Sequence, residues 1–414
     1  MTSPSRPFQN PFQSFQMSAT LRNRFLLTLF VGILICLNPL KAQPPVSTLS
    51  PAAKFSVLTC SPGTELYSVF GHSALRIQDS TSRLDWVWNY GVFEFDTPNF
   101  LMKFARGKLL YYVLSYSYRH FYAEYQQERR SITEQTLNLS EAQKKAIFDA
   151  LLVNELPDNK YYKYDFFYDN CATRERDVIA KALGPDLRWK PKEGDDYGTY
   201  RELIDGYLRN EVWADFGIDL ALGRPTDKTA NQQGAMFLPD YLLQALNTAE
   251  VKLDGQWKPL VASQQVLLEM PKSEITAFQY GPHILGWIIF ALTAAVTLLG
   301  FRARRPYRGF DFLLFFVFGL LGVLLLLFWI ATDHQATYWN LNMLWASPLH
   351  LIYAFMLVMR RSRPLALKYA MVMIPVTLSA FFLHCGLHAA FYPMILAVLL
   401  RLGWTVYIHR KKVG

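Results

Sequence analysis

FLLFFVFGLLGVLLLLFWIA, Phe312 to Ala331, runs for twenty residues without an ionisable side chain. A helix needs about 20 apolar residues to cross the hydrocarbon core of a bilayer, so this stretch predicts a membrane span and sets the class of the chain. Ile284 to Phe301, Met343 to Met359, Leu365 to Leu383 and Phe391 to His409 share its character. The fourth carries Lys368 and Pro375 and the fifth Arg401, which makes those two the least clean.

The connections between these five spans predict orientation, because Lys and Arg collect on the cytoplasmic side. Arg302, Arg304, Arg305 and Arg308 follow the first span, Arg360, Arg361 and Arg363 the third, and Arg410, Lys411 and Lys412 the fifth. The connections around Asp333 to Asn342 and His384 to Ala390 carry neither Lys nor Arg. That alternation puts the long preceding segment outside the cytoplasm and the C-terminus inside. The front of the chain agrees: LRNR (Leu21 to Arg24), the apolar FLLTLFVGILICL and Lys41-Ala42-Gln43 read as a signal peptide cleaved after Ala42. Cys36 does not read as a lipoprotein acceptor, since Ile35 stands where a small residue is expected, and the first sixteen residues read as dispensable, with Met17 as a candidate start. Three segments result: 1–42, an exported domain over 43–282, and a five-helix transmembrane domain over 283–414.

The whole chain of 414 residues has a net charge of +9, which taken alone suggests a nucleic-acid partner. Residues 43–282 hold 26 Lys and Arg against 31 Asp and Glu, a net −5, so the positive excess belongs to the membrane loops and a nucleic-acid partner is excluded. The exported segment is long enough to bury its own core. FSVLTC (Phe55 to Cys60), SALRIQ (Ser73 to Gln78) and LDWVWNYGVFEF (Leu84 to Phe95) read as strands, while the basic, aromatic stretch from Arg106 admits strand or helix. From Ser140, SEAQKKAIFDALLVNEL reads as a helix with a Ser cap and Ala146, Leu151 and Leu152 on one face. Strands first and helices second predict an α+β domain.

Chemistry concentrates in YDNCATRERDVIAKALG, Tyr168 to Gly184. Asp169 or Asn170 can cap a helix that ends at Gly184, which places Cys171 in its first turn. Unsatisfied N–H groups and the positive end of the helix dipole favour the thiolate there. His72, in VFGHSALRI between a Gly-containing turn and a strand, is a candidate base. The residues alone leave three readings of Cys171 open: a nucleophile, half of a disulfide with Cys60, or an inert core thiol. His72 likewise reads as a base or as a core histidine bonded to backbone.

LTCSPGTELYSVFGHSALRI, WNYGVFEF, FYDNCATR, FGIDLALG (Phe216 to Gly223) and MFLPDYL (Met236 to Leu242), in this order, resemble the Lnb N-terminal periplasmic domain family of Bacteroidota. The resemblance spans about Phe55 to Leu246, and WNLNMLW (Trp339 to Trp345) is similar to the membrane portion of those proteins. Members are linked to lipoprotein N-acylation. The His-before-Cys order also resembles the permuted papain-like (NlpC-like and lecithin:retinol acyltransferase-like) folds. The resemblance thus implies a permuted papain-like periplasmic domain, Cys171 as nucleophile and His72 as base. Its implied partners are a membrane phospholipid as acyl donor and lipoproteins as acceptors, and its implied location is the inner membrane with the site in the periplasm. Such a transfer splits into two steps through a thioester and calls for no cofactor. A site at the membrane surface avoids lifting acyl chains into water, at about 0.8 kcal/mol per CH₂.

Further roles follow by chemistry. Asn89, on the strand after that of His72, is the candidate to orient the imidazole, or else satisfies a strand end. The backbone N–H of Cys171, with the Tyr168 hydroxyl, is the candidate oxyanion donor. Asp169 reads as a cap, and Arg174 as either a ligand for a lipid phosphate or a solvated helix residue. In the membrane domain His334, Asn340 and Asn342, with Trp339 and Trp345, suggest a polar groove for headgroups; a metal held by His334, His384 and His388 is conceivable but not favoured. Two rivals stand beside the acyltransferase. One is an NlpC-like hydrolase of cell wall or protein, which would need only a single anchoring helix; the other is a non-enzymatic assembly factor with a Cys60 to Cys171 bridge.

Overall fold

The structure, a computed structural model, describes residues 48–191, 194, 196–271, 278–383 and 386–410. The signal-peptide reading of 1–42, and His384, Lys411 and Lys412, lie outside the described residues. The described residues belong to one compact unit.

The exported part is built on an antiparallel sheet. Its strands are β1 (Lys54–Cys60), β2 (His72–Asp79), β3 (Leu84–Val92), β4 (Leu110–Ser117), β5 (Ile132–Leu137) and β6 (Tyr161–Lys163). After β7 (Leu187–Arg188), β8 (Glu250–Leu253) and β9 (Gln256–Pro259), which form a small sheet of their own, β10 (Val261–Leu268) returns to the first. The order of the large sheet is β10-β5-β1-β2-β3-β4-β6. The return of β10 corrects the expected separation of strands from helices: its pairing with β5 closes the sheet after the helical segment.

Side chains alternate across a strand, and each face of this sheet is covered. Phe55, Val57, Leu75, Ile77, Trp88 and Tyr90 pack against the helices Glu141–Glu155 and Cys171–Leu183. Leu58, Cys60, Ala74 and Val87 pack against Phe121 and Tyr125 of the helix Tyr118–Gln127. The ambiguous aromatic stretch therefore resolves into β4 followed by a helix. Ser140 caps Glu141–Glu155 in a reciprocal box with Gln143, and the buried stripe centres on Ile147, Phe148 and Leu151.

Five spans follow: Gly281–Ala303, Arg308–Ile330, Gln335–Val358, Arg360–Leu383 and Phe391–His409. The third corrects the expectation of one helix over Met343 to Met359. Only Leu349–Val358 is α-helical, preceded by short 3₁₀ turns at Gln335–Thr337 and Leu341–Leu344. Ten helical residues reach about 15 Å, half of a hydrocarbon core. Irregular backbone at such a depth must be enclosed by protein. Trp345 is indeed buried, its Nε1 donating to Asn342 Oδ1 at 3.0 Å, with His350 Nε2 3.0 Å from its carbonyl oxygen. Arg401, the anomaly of the fifth span, is buried against Asp311 at 2.6 Å and donates to Thr297 at 2.8 Å.

Candidate active site

Cys171 opens its helix. Asn170 is the cap: its side chain accepts the Thr173 N–H at 2.9 Å, and Thr173 Oγ1 accepts the Asn170 N–H at 2.7 Å. Asn170 Nδ2 also donates to the carbonyls of Phe166 (2.9 Å) and Phe237 (2.7 Å), tying the helix start to two loops. Cys171 is 8% exposed. Burial raises its thiol pKa, opposed by the N–H groups of Ser73, Ala172 and Cys171 itself turned toward the sulfur. Ser73 directly follows His72 on β2; because successive side chains point to opposite faces, Ser73 meets the thiol while the His72 ring lies on the Tyr125 side of the strand.

His72 is half-buried, and its Nε2–H donates to Asn89 Oδ1 at 2.6 Å. Asn89 Nδ2 donates to the Tyr116 hydroxyl at 3.2 Å, which donates to Glu124 at 3.1 Å. This chain fixes the tautomer, leaving Nδ1 as the nitrogen able to take a proton. Burial first, then the Arg130 charge, lowers the His72 pKa to about 4, so the ring is neutral at pH 7. Among the described residues no hydrogen bond joins the imidazole to the Cys171 thiol. The ring instead stacks near Tyr125 with centroids 6.4 Å apart, and Cys60 lies directly opposite it across β1 and β2. Cys60 and Cys171 are both buried free thiols.

Other expected roles change on inspection. Tyr168 is exposed, its ring tilted against Phe167 and Tyr200. Tyr164 is the tyrosine beside the thiol: a Cβ placed on Gly91 would lie 3.7 Å from the Tyr164 ring and 3.8 Å from the Cys171 Cβ. Gly91 has φ +86 at the irregularity in the β3 and β4 pairing, and its bare backbone makes room for the thiol. Asp169 does not cap. Its carboxylate grips the Arg174 guanidinium at 2.5 and 2.8 Å, and that guanidinium lies 3.5 Å over the Tyr162 ring, so Arg174 is occupied rather than open to a phosphate.

One residue escaped the sequence reading. Glu175, one turn beyond Cys171 on the same helix face, is fully buried, and neither carboxyl oxygen has a hydrogen-bond partner among the described residues. Burial, and then the neighbouring Cys171, push its pKa well above the usual carboxylate range, so it is held protonated with Ser73 facing it. The i, i+4 spacing from Cys171 was the available signal.

The polar membrane-domain residues are also spent. Asn340 Nδ2 donates to the carbonyls of Leu220 and Ala221 at 2.8 and 3.0 Å, and Asn342 Nδ2 to those of Asp219 and Leu220, both at 3.1 Å. Both side chains are buried, so they cap the helix Val212–Ala221 rather than form a headgroup groove. His334 Nε2 lies 3.1 Å from the Phe104 carbonyl. Asp215, Asp219 and His388 do cluster, within 4.8 Å. Since Ala390 N–H donates to His388 Nδ1 at 3.1 Å, Nε2 carries the ring proton and faces Asp215 at 3.4 Å, while Asp219 binds Arg201 at 2.7 Å. His388 thus serves Asp215 and Arg201 serves Asp219, while Asp215 Oδ1 has no hydrogen-bond partner among the described residues.

Fold and site define a membrane protein that carries a mixed α/β domain in which a cysteine opens a helix and a histidine opens a strand. Residues 47–206 match the Lnb N-terminal periplasmic domain and residues 273–412 the Lnb transmembrane domain. The chain belongs to the Lnb-type family, and the domain that bears Cys171 and His72 is the periplasmic one. No curated protein and no solved structure matches it.

Proposed function

We propose that this protein is a lipoprotein N-acyltransferase of the inner membrane, with its C-terminus in the cytoplasm. It moves a fatty acyl chain from a phospholipid to the α-amino group of the lipidated N-terminal cysteine of a lipoprotein. The observation that carries this reading is the His72 imidazole, locked by Asn89 at 2.6 Å with Nδ1 left for proton transfer, one residue along β2 from a serine whose N–H faces the Cys171 thiol.

In the first half, Cys171 gives its proton to His72 Nδ1 and its sulfur attacks the ester carbonyl. The resulting oxyanion is met by N–H groups at the helix start. As the C–O bond breaks, His72 returns the proton to the departing lysophospholipid oxygen. In the second half the lipoprotein amine attacks the thioester, a C–N bond forms, the C–S bond breaks, and the amine proton passes through His72 to the sulfur. Asn89 holds the ring, and Tyr164 walls the thiol.

The test is the lipid state of mature lipoproteins in cells with and without the protein, read by mass spectrometry. We expect three acyl chains with the wild type, and two without it or with Cys171→Ala. Full N-acylation by Cys171→Ala at normal abundance would refute the thioester route.

A further inference from the structure

The helix Phe100–Ala105, FLMKFA, contributes no buried side chain to the fold. Leu101 is 78% exposed, Met102 62% and Phe104 53%. Contiguous exposed apolar surface of this kind marks a contact with another apolar phase.

The backbone fixes where the helix lies. Asp333 N–H donates to the Arg106 carbonyl at 2.9 Å, His334 Nε2 is 3.1 Å from the Phe104 carbonyl, and Lys163 pairs with Asp333 at 2.8 Å. At Gly107 (φ +66) a Cβ would meet both Asp333 and His334 at 3.3 Å, so glycine permits the close approach. Asp333 and His334 come shortly after the span Arg308–Ile330, where the tilted rings of Trp329 and Trp339 have centroids 4.6 Å apart, the kind of aromatic pair that sits at a bilayer surface. The FLMKFA helix is therefore tied to the level at which that span leaves the hydrocarbon. Lys103, Arg106 and Lys108 surround it with positive charge suited to lipid phosphates.

From this helix a ladder of rings leads inward. Centroids are 6.2 Å apart for Phe104 and Phe100, 5.9 Å for Phe100 and Phe93, 5.2 Å for Phe93 and Tyr111, and 4.3 Å for Tyr111 and Tyr164. Tyr164 borders Gly91 and Cys171. The rings form a continuous apolar seam that runs from the exposed helix to the wall of the thiol.

We propose that the Phe100–Ala105 helix dips Leu101, Met102 and Phe104 into the leaflet on the domain's side of the membrane and passes a phospholipid acyl chain along the ring ladder to Cys171. Delivery to the thiol rests on the acyltransfer reading above; insertion of the helix does not. The test uses the full-length protein in nanodiscs of phosphatidylethanolamine carrying a photoreactive diazirine in one acyl chain. Cross-links mapped by mass spectrometry are expected on Leu101 to Phe104, in addition to the spans. Labelled spans with an unlabelled helix would overturn the proposal. In the same nanodiscs, Leu101→Asp combined with Met102→Asp is expected to slow loading of an acyl group onto Cys171 at least tenfold, while iodoacetamide alkylates Cys171 at the wild-type rate. Loading at the wild-type rate by the double variant would overturn the path. If the wild-type protein acquires no acyl group on Cys171 from phospholipid, delivery falls together with the acyltransfer reading, and the cross-links decide helix insertion separately.

Discussion

At the scale of the residue, the site pairs a neutral imidazole with a protonated thiol. Burial lowers the His72 pKa to about 4 and raises that of Cys171. A preformed thiolate and imidazolium pair would react with iodoacetamide almost equally from pH 6 to 8; here alkylation of Cys171 should keep climbing past the ordinary thiol value near 9. A plateau below pH 7 would show that the pair is ionised. His72, as the proposed base, is competent wherever it is neutral, so acyl transfer should hold down to about pH 5, drop to about half near pH 4 and fail below it, with Cys171→Ala and His72→Ala abolishing it non-additively. Glu175 offers a second titration with the opposite sign. Its folded pKa is raised, so between about pH 4.5 and that raised value the folded protein holds a proton that the unfolded chain releases, and stability declines as pH rises. Glu175→Gln keeps the shape without the titration. Its melting temperature should equal the wild-type value near pH 4 and exceed it increasingly toward pH 8; a constant difference would place the proton elsewhere. Cys60 is a buried free thiol across from His72, and we expect Cys60→Ser to retain most acyl transfer.

At the scale of the element, the start of the Cys171 helix depends on Asn170 in two directions. Its oxygen caps the helix, and its Nδ2 serves two loop carbonyls. Asn170→Ala loses both functions, and Asn170→Asp keeps the cap but aims a carboxylate at two carbonyl oxygens. Loss of a cap costs about 1 kcal/mol, and buried acceptors left without donors about 1 to 3 kcal/mol more. Asp should therefore destabilise about as much as Ala, measured by thermal unfolding. If Asp matched the wild type, the two loop bonds would carry no weight. A helix start with its cap, its Gly184 stop and a cysteine in the first turn was legible because caps and turns are local chemistry. So was Asn89 on the strand beside His72, since strand parity needs only short-range pattern. What local pattern could not reveal was which side chain fills which space. Tyr164 rather than Tyr168 meets the thiol because β3 is irregular at Gly91, and Asp169 turns to Arg174 because the Tyr162 ring receives the guanidinium. The third span was legible as apolar length, but its irregular start depends on Asn342 and Trp345 closing over one another.

At the scale of the whole molecule, two segments notable in the sequence, FGIDLALG and WNLNMLW, prove to be each other's partners. The helix Val212–Ala221 ends with carbonyls that have no partner inside the helix, and Asn340 and Asn342 of the membrane domain supply the donors. Gly223 N–H then donates to the Ala336 carbonyl at 2.7 Å, and a Cβ at Gly223 would fall onto the Tyr338 carbonyl oxygen. The contact is a helix cap shared between two domains. Asn342→Ala would leave the Trp345 indole N–H without its acceptor, whereas the Asp219 and Leu220 carbonyls would keep Arg201 and Asn340 as donors. We expect a loss of about 1 to 3 kcal/mol in stability, the cost of one buried group left unpaired, with faster hydrogen exchange confined to residues 212–224 and 335–345. Gly223→Ala should do the same by steric means, without touching any polar group. Among the described residues neither Asn342 nor Gly223 hydrogen-bonds to the sheet that holds His72 or to the helix that opens with Cys171, so alkylation of Cys171 should be unchanged in both variants. Acyl transfer from bilayer lipid should nevertheless fall in both, because the thiol would no longer be held at a fixed height above the spans. If both variants lost the seam, as hydrogen exchange reports, yet transferred acyl chains at the wild-type rate, the docked arrangement would be irrelevant to catalysis and the membrane domain would serve as an anchor alone.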